Sequence, residues 1–147
     1  MLQALRICLA LLGLSAIAIA LSILALGAEA TASMAEGVFD AVSGWRGPPS
    51  GRWPATMDSE LRFYAALWGA YGIVLLRAAW ALPRTLPQAP WLAAVFFVGG
   101  MGRVLSRVSV GAPHPVFTLL MVIELLLPVL MVLLWMGARA PEREVKA

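Results

Sequence analysis

A carboxylate and two guanidinium groups stand where a chain this apolar should carry hydrocarbon. Glu124 is the one charge between Pro115 and Met136, and an ionised carboxylate in such a stretch needs a partner, water or a proton. The preceding apolar stretch ends in Gly102-Arg103-Val104-Leu105-Ser106-Arg107, with two arginines at a spacing that puts them on one helix face. An acid facing an arginine inside a membrane can act in two ways. It can fix helix register by mutual neutralisation, or it can hold the polar head of a lipid-soluble ligand, with Glu124 as acid or base and Arg103 orienting it and polarising the ligand. Ionisable residues at membrane depth favour the functional reading. The excess of arginines over nearby acids points to an anionic or carbonyl-bearing ligand.

The rest of the chain must supply the helices that position these groups. Of 147 residues, 61% are hydrophobic and 13% charged, and the mean hydropathy is +0.86, which implies a polytopic membrane protein with room for about four spans and no soluble catalytic domain. The net charge of +3 is spread along the chain rather than gathered in a stripe, so nucleic-acid binding has no support. The single cysteine, Cys8, excludes an intrachain disulfide and a CxxC-type site. No GxSxG, HExxH, phosphate-cradling glycine loop or dinucleotide fingerprint occurs, which removes conventional hydrolase, kinase and nicotinamide chemistry. No metal site is expected, because no second His or Cys accompanies His114 at ligand spacing, and no cofactor is expected. His114, between Pro113 and Pro115, reads as an exposed bystander in a turn.

Four helical spans are predicted, at about 5–28, 59–82, 90–110 and 115–136, forming an antiparallel bundle. Small-x-small residues at Ala28-Glu29-Ala30 resemble a signal-peptide cleavage site, but the apolar run before them exceeds the usual length, and a retained first span is preferred. Residues 29–58 form a loop in which Met34, Val38 and Val42 recur at helical spacing, predicting a short helix on the membrane surface before Gly44. Trp45 and Trp53 flank the Gly47-Pro48-Pro49-Ser50-Gly51 break at headgroup level. Asp58 or Ser59 is expected to cap the second span. Arg62 and Arg77 near its ends read first as snorkelling anchors. The fourth span exits at Trp135, and the charged residues 137–147 are expected to fray. The distribution of Lys and Arg puts both termini in the cytoplasm, with the 29–58 loop and the His114 turn outward.

Depth counted from that turn puts Arg103 about 10 Å and Glu124 about 13 Å inward, nearly one level. Arg107 lies one turn nearer the surface, where Glu60 and Asp58 are expected to meet it. With Ser106 and Ser109 these residues outline a polar cleft between the second, third and fourth spans, opening outward and walled by Tyr64, Trp68, Tyr71 and Phe96.

Ser59-Glu60-Leu61-Arg62, Gly102-Arg103-x-x-Ser106, Gly111-x-Pro113 and Glu124, in that order, resemble the DUF4345 family of small four-helix bacterial membrane proteins over roughly residues 5–136. An acidic residue commonly precedes the turn glycine in that family, whereas Val110 stands here, which weakens the transfer of any role to the turn. The resemblance implies a four-helix membrane fold and a single site formed by Glu60, Arg62, Arg103, Ser106 and Glu124. The location expected is a bacterial inner membrane. The function expected is binding of an isoprenoid, sterol-like or quinone-like molecule, with proton transfer on it as the catalytic extension; Glu124 and Arg103 would carry the chemistry, and Arg107, Glu60, Arg62, Ser106, Tyr64 and Trp68 would hold the ligand. The alternative is a non-catalytic accessory or assembly subunit of a larger membrane complex, its partner another membrane protein.

Overall fold

The computed structural model describes residues 1–144. Among them the chain forms α1 (Leu2–Leu26), α2 (Ala28–Ser43), α3 (Ala55–Trp80), α4 (Ala89–Val110) and α5 (Pro115–Glu144), with a 3-10 turn at Leu86–Gln88 leading into α4. Four helical segments, Leu2–Leu26, Ala55–Trp80, Leu86–Val110 and Pro115–Arg139, are long and apolar enough to cross a bilayer, which makes this a multi-pass membrane protein.

Two helix ends differ from the sequence expectation. α3 begins at Ala55 rather than at Asp58 or Ser59, because the extended backbone of Pro54 starts it a turn earlier. Asp58 is thereby free to reach another helix. α5 does not stop near Met136 but continues to Glu144. Gly137 lets Met1 approach, the site where a Cβ would lie being 2.9 Å from the Met1 Cγ, and the Arg139 guanidinium sits 4.7 Å from the Trp135 ring centre, so the helix has packing and a cation–π contact to sustain it past the aromatic belt. Residues 145–147, part of the expected frayed tail, lie outside the described residues.

The spans pack as two pairs, α1 with α3 and α4 with α5. Lipid tails are as apolar as leucine, so what joins helices in a membrane is close packing and hydrogen bonding. Gly13 and Gly72 illustrate this. A Cβ at Gly72 would lie 2.8 Å from the Gly13 carbonyl oxygen, so the two backbones touch. Arg6 adds polar contacts at the end of α3, donating from Nε to the Ala79 carbonyl (3.2 Å) and from Nη2 to the Leu82 carbonyl (2.9 Å). In the other pair, a Cβ at Gly100 would lie 3.1 Å from the Glu124 backbone carbon.

The two pairs share one core at the end that carries the 81–88 connection. Leu5 and Leu9 of α1, Leu75 of α3 and Met131 of α5 are fully enclosed there, with Leu92 and Phe96 of α4 in the same cluster. At the other end α2 joins the pairs. It leaves α1 at Gly27, whose φ of 93° lies in the left-handed region that a side chain disfavours. Its face of Ala28, Ala32 and Glu36 is buried, whereas Met34, Val38 and Val42 are exposed. The amphipathic stripe read from the sequence therefore points away from the protein, and the carboxylate-bearing face points into it.

Candidate functional site

Arg103 and Glu124 meet. Arg103 Nε donates to Glu124 Oε2 at 2.6 Å, with 40% of the Arg103 side chain and 11% of the Glu124 side chain accessible. Gly100, one turn before Arg103, lets the α5 backbone come close enough for a short, charge-assisted contact. Neither Nη of Arg103 donates to any described residue, so the outer edge of the guanidinium still offers its donor fork.

The wall opposite is α3. Tyr71 donates its hydroxyl to the Leu92 carbonyl at 2.6 Å, and the Trp68 and Phe96 rings stack with centroids 5.8 Å apart and planes 24° apart. These contacts show which faces of α3 and α4 look at each other. Continuing each face by helical periodicity leads from Trp68 to Tyr64 and Glu60 on α3, and from Phe96 to Gly99, Arg103 and Ser106 on α4. Beyond the stacked rings the faces part. Tyr64 is 56% exposed, Glu60 and Ser106 are exposed, and no hydrogen bond joins α3 to α4 there among the described residues. The result is a wedge with an aromatic floor of Trp68, Tyr71 and Phe96 and an ion pair on one wall.

The expected mouth is not formed by the residues assigned to it. Arg107 does not meet Glu60 or Asp58; its Nη1 donates to Thr118 Oγ1 at 3.0 Å, within the α4–α5 pair. Arg62 is not in the wedge. Its Nε donates to Asp58 Oδ2 at 2.7 Å and its Nη1 to the Leu24 carbonyl at 2.6 Å, on the α1 side of α3. The physical reason is angular: two residues along a helix are about 200° apart, so Glu60 and Arg62 cannot face the same neighbour. The single site of Glu60, Arg62, Arg103, Ser106 and Glu124 therefore loses Arg62.

The loop acids perform a structural task that the sequence reading missed. Asp58 Oδ1 accepts from the Ala28 amide at 3.0 Å and so satisfies the start of α2. Glu29 accepts from the Trp53 amide at 3.2 Å, and Glu36, buried, accepts from the Ser50 amide at 3.1 Å and from the Ser50 hydroxyl. His114 is not an exposed bystander. It is 7% exposed, its Nδ1 accepts from the Val116 amide at 3.4 Å, its Nε2 faces Asp40 Oδ1 at 3.3 Å, and Trp45 stands edge-on to its ring. His114 Nε2 and Asp40 Oδ1 are buried without a hydrogen bond between them, so the contacts of the Phe39 and Trp45 rings with His114 are what join the α2 side to the α4–α5 turn. The i, i+4 recurrence of Ala32, Glu36 and Asp40 is the one sequence signal that could have revealed it.

Two clefts lie elsewhere. One of about 500 Å³ sits among Trp45, Trp53, Pro48, Pro49 and the His114 turn, and one of about 350 Å³ is a wholly apolar groove on the far side of α4 and α5, between Phe97 and Pro128. Neither is lined by Arg103 or Glu124. No cluster of three or more His, Cys, Asp or Glu side chains capable of holding a metal occurs among the described residues.

The model of the family described as "Domain of unknown function (DUF4345)" matches residues 4–135, most of the chain, and the protein belongs to that family. No curated protein and no solved structure matches it.

Proposed function

We propose, from the premise of DUF4345 membership, that this protein is an antiparallel four-span bundle of a bacterial inner membrane, with both termini cytoplasmic, that binds a lipid-soluble molecule in the wedge between α3 and α4. The orientation rests on the arginines near the 81–88 connection and the chain ends. In that orientation the wedge opens to the outer leaflet.

The observation that carries this reading is the half-used guanidinium. Arg103 is held by Glu124 through Nε alone, and 40% of its side chain is accessible. A purely structural ion pair gains most when both groups are enclosed and all donors are matched. Here the carboxylate is nearly enclosed while the Nη groups of the guanidinium have no described partner, an arrangement suited to presenting N–H groups to a polar head. Glu124, fixed against Arg103, is placed to accept or release a proton on a head bound there. The stacked Trp68 and Phe96 rings would meet the apolar body of the ligand.

Organic extraction of the purified protein followed by mass spectrometry tests this. A small molecule at about one per chain is expected, and Glu124→Gln should retain the fold but reduce co-purification about tenfold, the loss of one charge-assisted contact. Wild-type retention by Glu124→Gln would defeat the assigned role. A stoichiometric protein partner with no small molecule would replace it with the accessory-subunit reading.

A further inference from the structure

The two arginines on the wedge side of α4 are in different electrostatic states, and that difference selects among lipid-soluble molecules. Arg103 already has a carboxylate at 2.6 Å, so it offers N–H donors with little net charge. Among the described residues Arg107 has only the neutral Thr118 hydroxyl, at 3.0 Å, and it is exposed. A neutral carbonyl suits the first and an anion suits the second. Their spacing along α4 sets Arg107 about 6 Å closer to the α2 end than Arg103. With α4 ending at Val110, Arg107 lies about 5 Å from the helix end, where a guanidinium reaches phosphates, and Arg103 about 10 Å, below them.

We infer that the ligand is a glycerophospholipid of the leaflet at the α2 end, with its phosphate at Arg107 and an acyl ester carbonyl at Arg103. This rests on the wedge being the binding site and narrows what it takes. In such a lipid the ester carbonyls lie one glycerol unit deeper than the phosphate, in the order that α4 presents the two donors. A quinone has carbonyls but no anion for Arg107. A polyprenyl phosphate has the anion but no carbonyl for Arg103. Phosphatidylethanolamine has both features, the phosphate and the ester carbonyl.

The test is native mass spectrometry of the full chain, delipidated in detergent and titrated with diacyl phosphatidylethanolamine, its dialkyl ether analogue, glycerophosphoethanolamine and ubiquinone. The wild type should retain the diacyl lipid about tenfold better than the ether, the worth of a hydrogen bond to a charged donor, and should not retain the headgroup alone. Arg103→Gln should abolish the ester preference, whereas Arg107→Gln should weaken both lipids equally and leave the preference intact. Equal retention of ester and ether by the wild type overturns the inference, and because it needs no variant it stands even if Arg103→Gln fails to fold. An ester preference that persists in a folded Arg103→Gln protein also overturns it. Stoichiometric ubiquinone without phospholipid would keep the wedge as a ligand site and reject this ligand. Retention of none of the probes would reject both.

Discussion

At the 81–88 end, all four spans bury side chains against one another, with Leu5, Leu9, Leu75 and Met131 sealed from their surroundings. At the α2 end, the same helices part between α3 and α4, and the pairs are linked instead by α2 and the segment after it, through Asp58 on the Ala28 amide and the Phe39 and Trp45 rings against His114. In water an apolar gap of this kind would close, since each exposed Tyr or Leu would gain by burial. In a bilayer the gap fills with acyl chains at little cost, so packing density is free to vary along the bundle. The comparison teaches that the packed end determines the fold, and that the open end can be held apart for a ligand.

Gly72→Val should have the largest effect. A Cβ at position 72 would lie 2.8 Å from the Gly13 carbonyl oxygen and 2.8 Å from Ile17 Cγ1. Neither backbone can retreat without separating α1 from α3 along much of their contact. A loss of about 3 kcal/mol or more is expected, read as a collapse of the monodisperse fraction on heating in detergent. Wild-type thermal behaviour would mean that close contact of α1 with α3 is not what holds the bundle.

Breaking the ion pair should matter less, because it stands where the two regimes meet. Arg103→Ala leaves the nearly enclosed Glu124 carboxylate unmatched, at about 1–3 kcal/mol. Glu124→Gln alone should cost less, since the amide oxygen can still accept from Arg103. The double variant should recover most of the Arg103→Ala loss, the non-additivity expected of residues in contact. Strict additivity across the four proteins, measured by the same thermal assay, would show that the 2.6 Å contact carries no coupling energy.

The sequence contains the facing of Arg103 and Glu124 because a short turn fixes register. Residues 111–114 leave no slack between α4 and α5, so counting back to Arg103 and forward to Glu124 gives matching depth. The spans are legible for the similar reason that hydropathy is additive along the chain. The α2 fastenings are not legible. They depend on where a Gly- and Pro-containing segment, Gly44 to Pro54, folds back, and no periodicity encodes that path. Asp58 satisfying another helix instead of its own, and His114 being enclosed by Phe39 and Trp45 rather than exposed, both follow from it. The exposed Met34, Val38 and Val42 stripe was readable as amphipathic, but which face meets protein depends on the solvent being lipid at that level.

The smallest stability effect is expected for Tyr64→Ala, and it is the sharpest test of whether the open end is a site. Tyr64 is 56% exposed, its hydroxyl has no described partner, and the aromatic ring beside it, Phe63, with centroids 5.6 Å apart, is on the same helix. Truncating it should therefore change stability by no more than about 0.5 kcal/mol. Ligand retention should nevertheless fall several-fold, because Tyr64 is the first side chain beyond the Trp68–Phe96 floor on the wall facing Arg103. A large stability loss would mean that α3 and α4 are packed there and the wedge is closed. An unchanged stability with unchanged retention would mean that the gap is real but lined for bulk lipid alone, leaving the Arg103–Glu124 pair as a helix-register device.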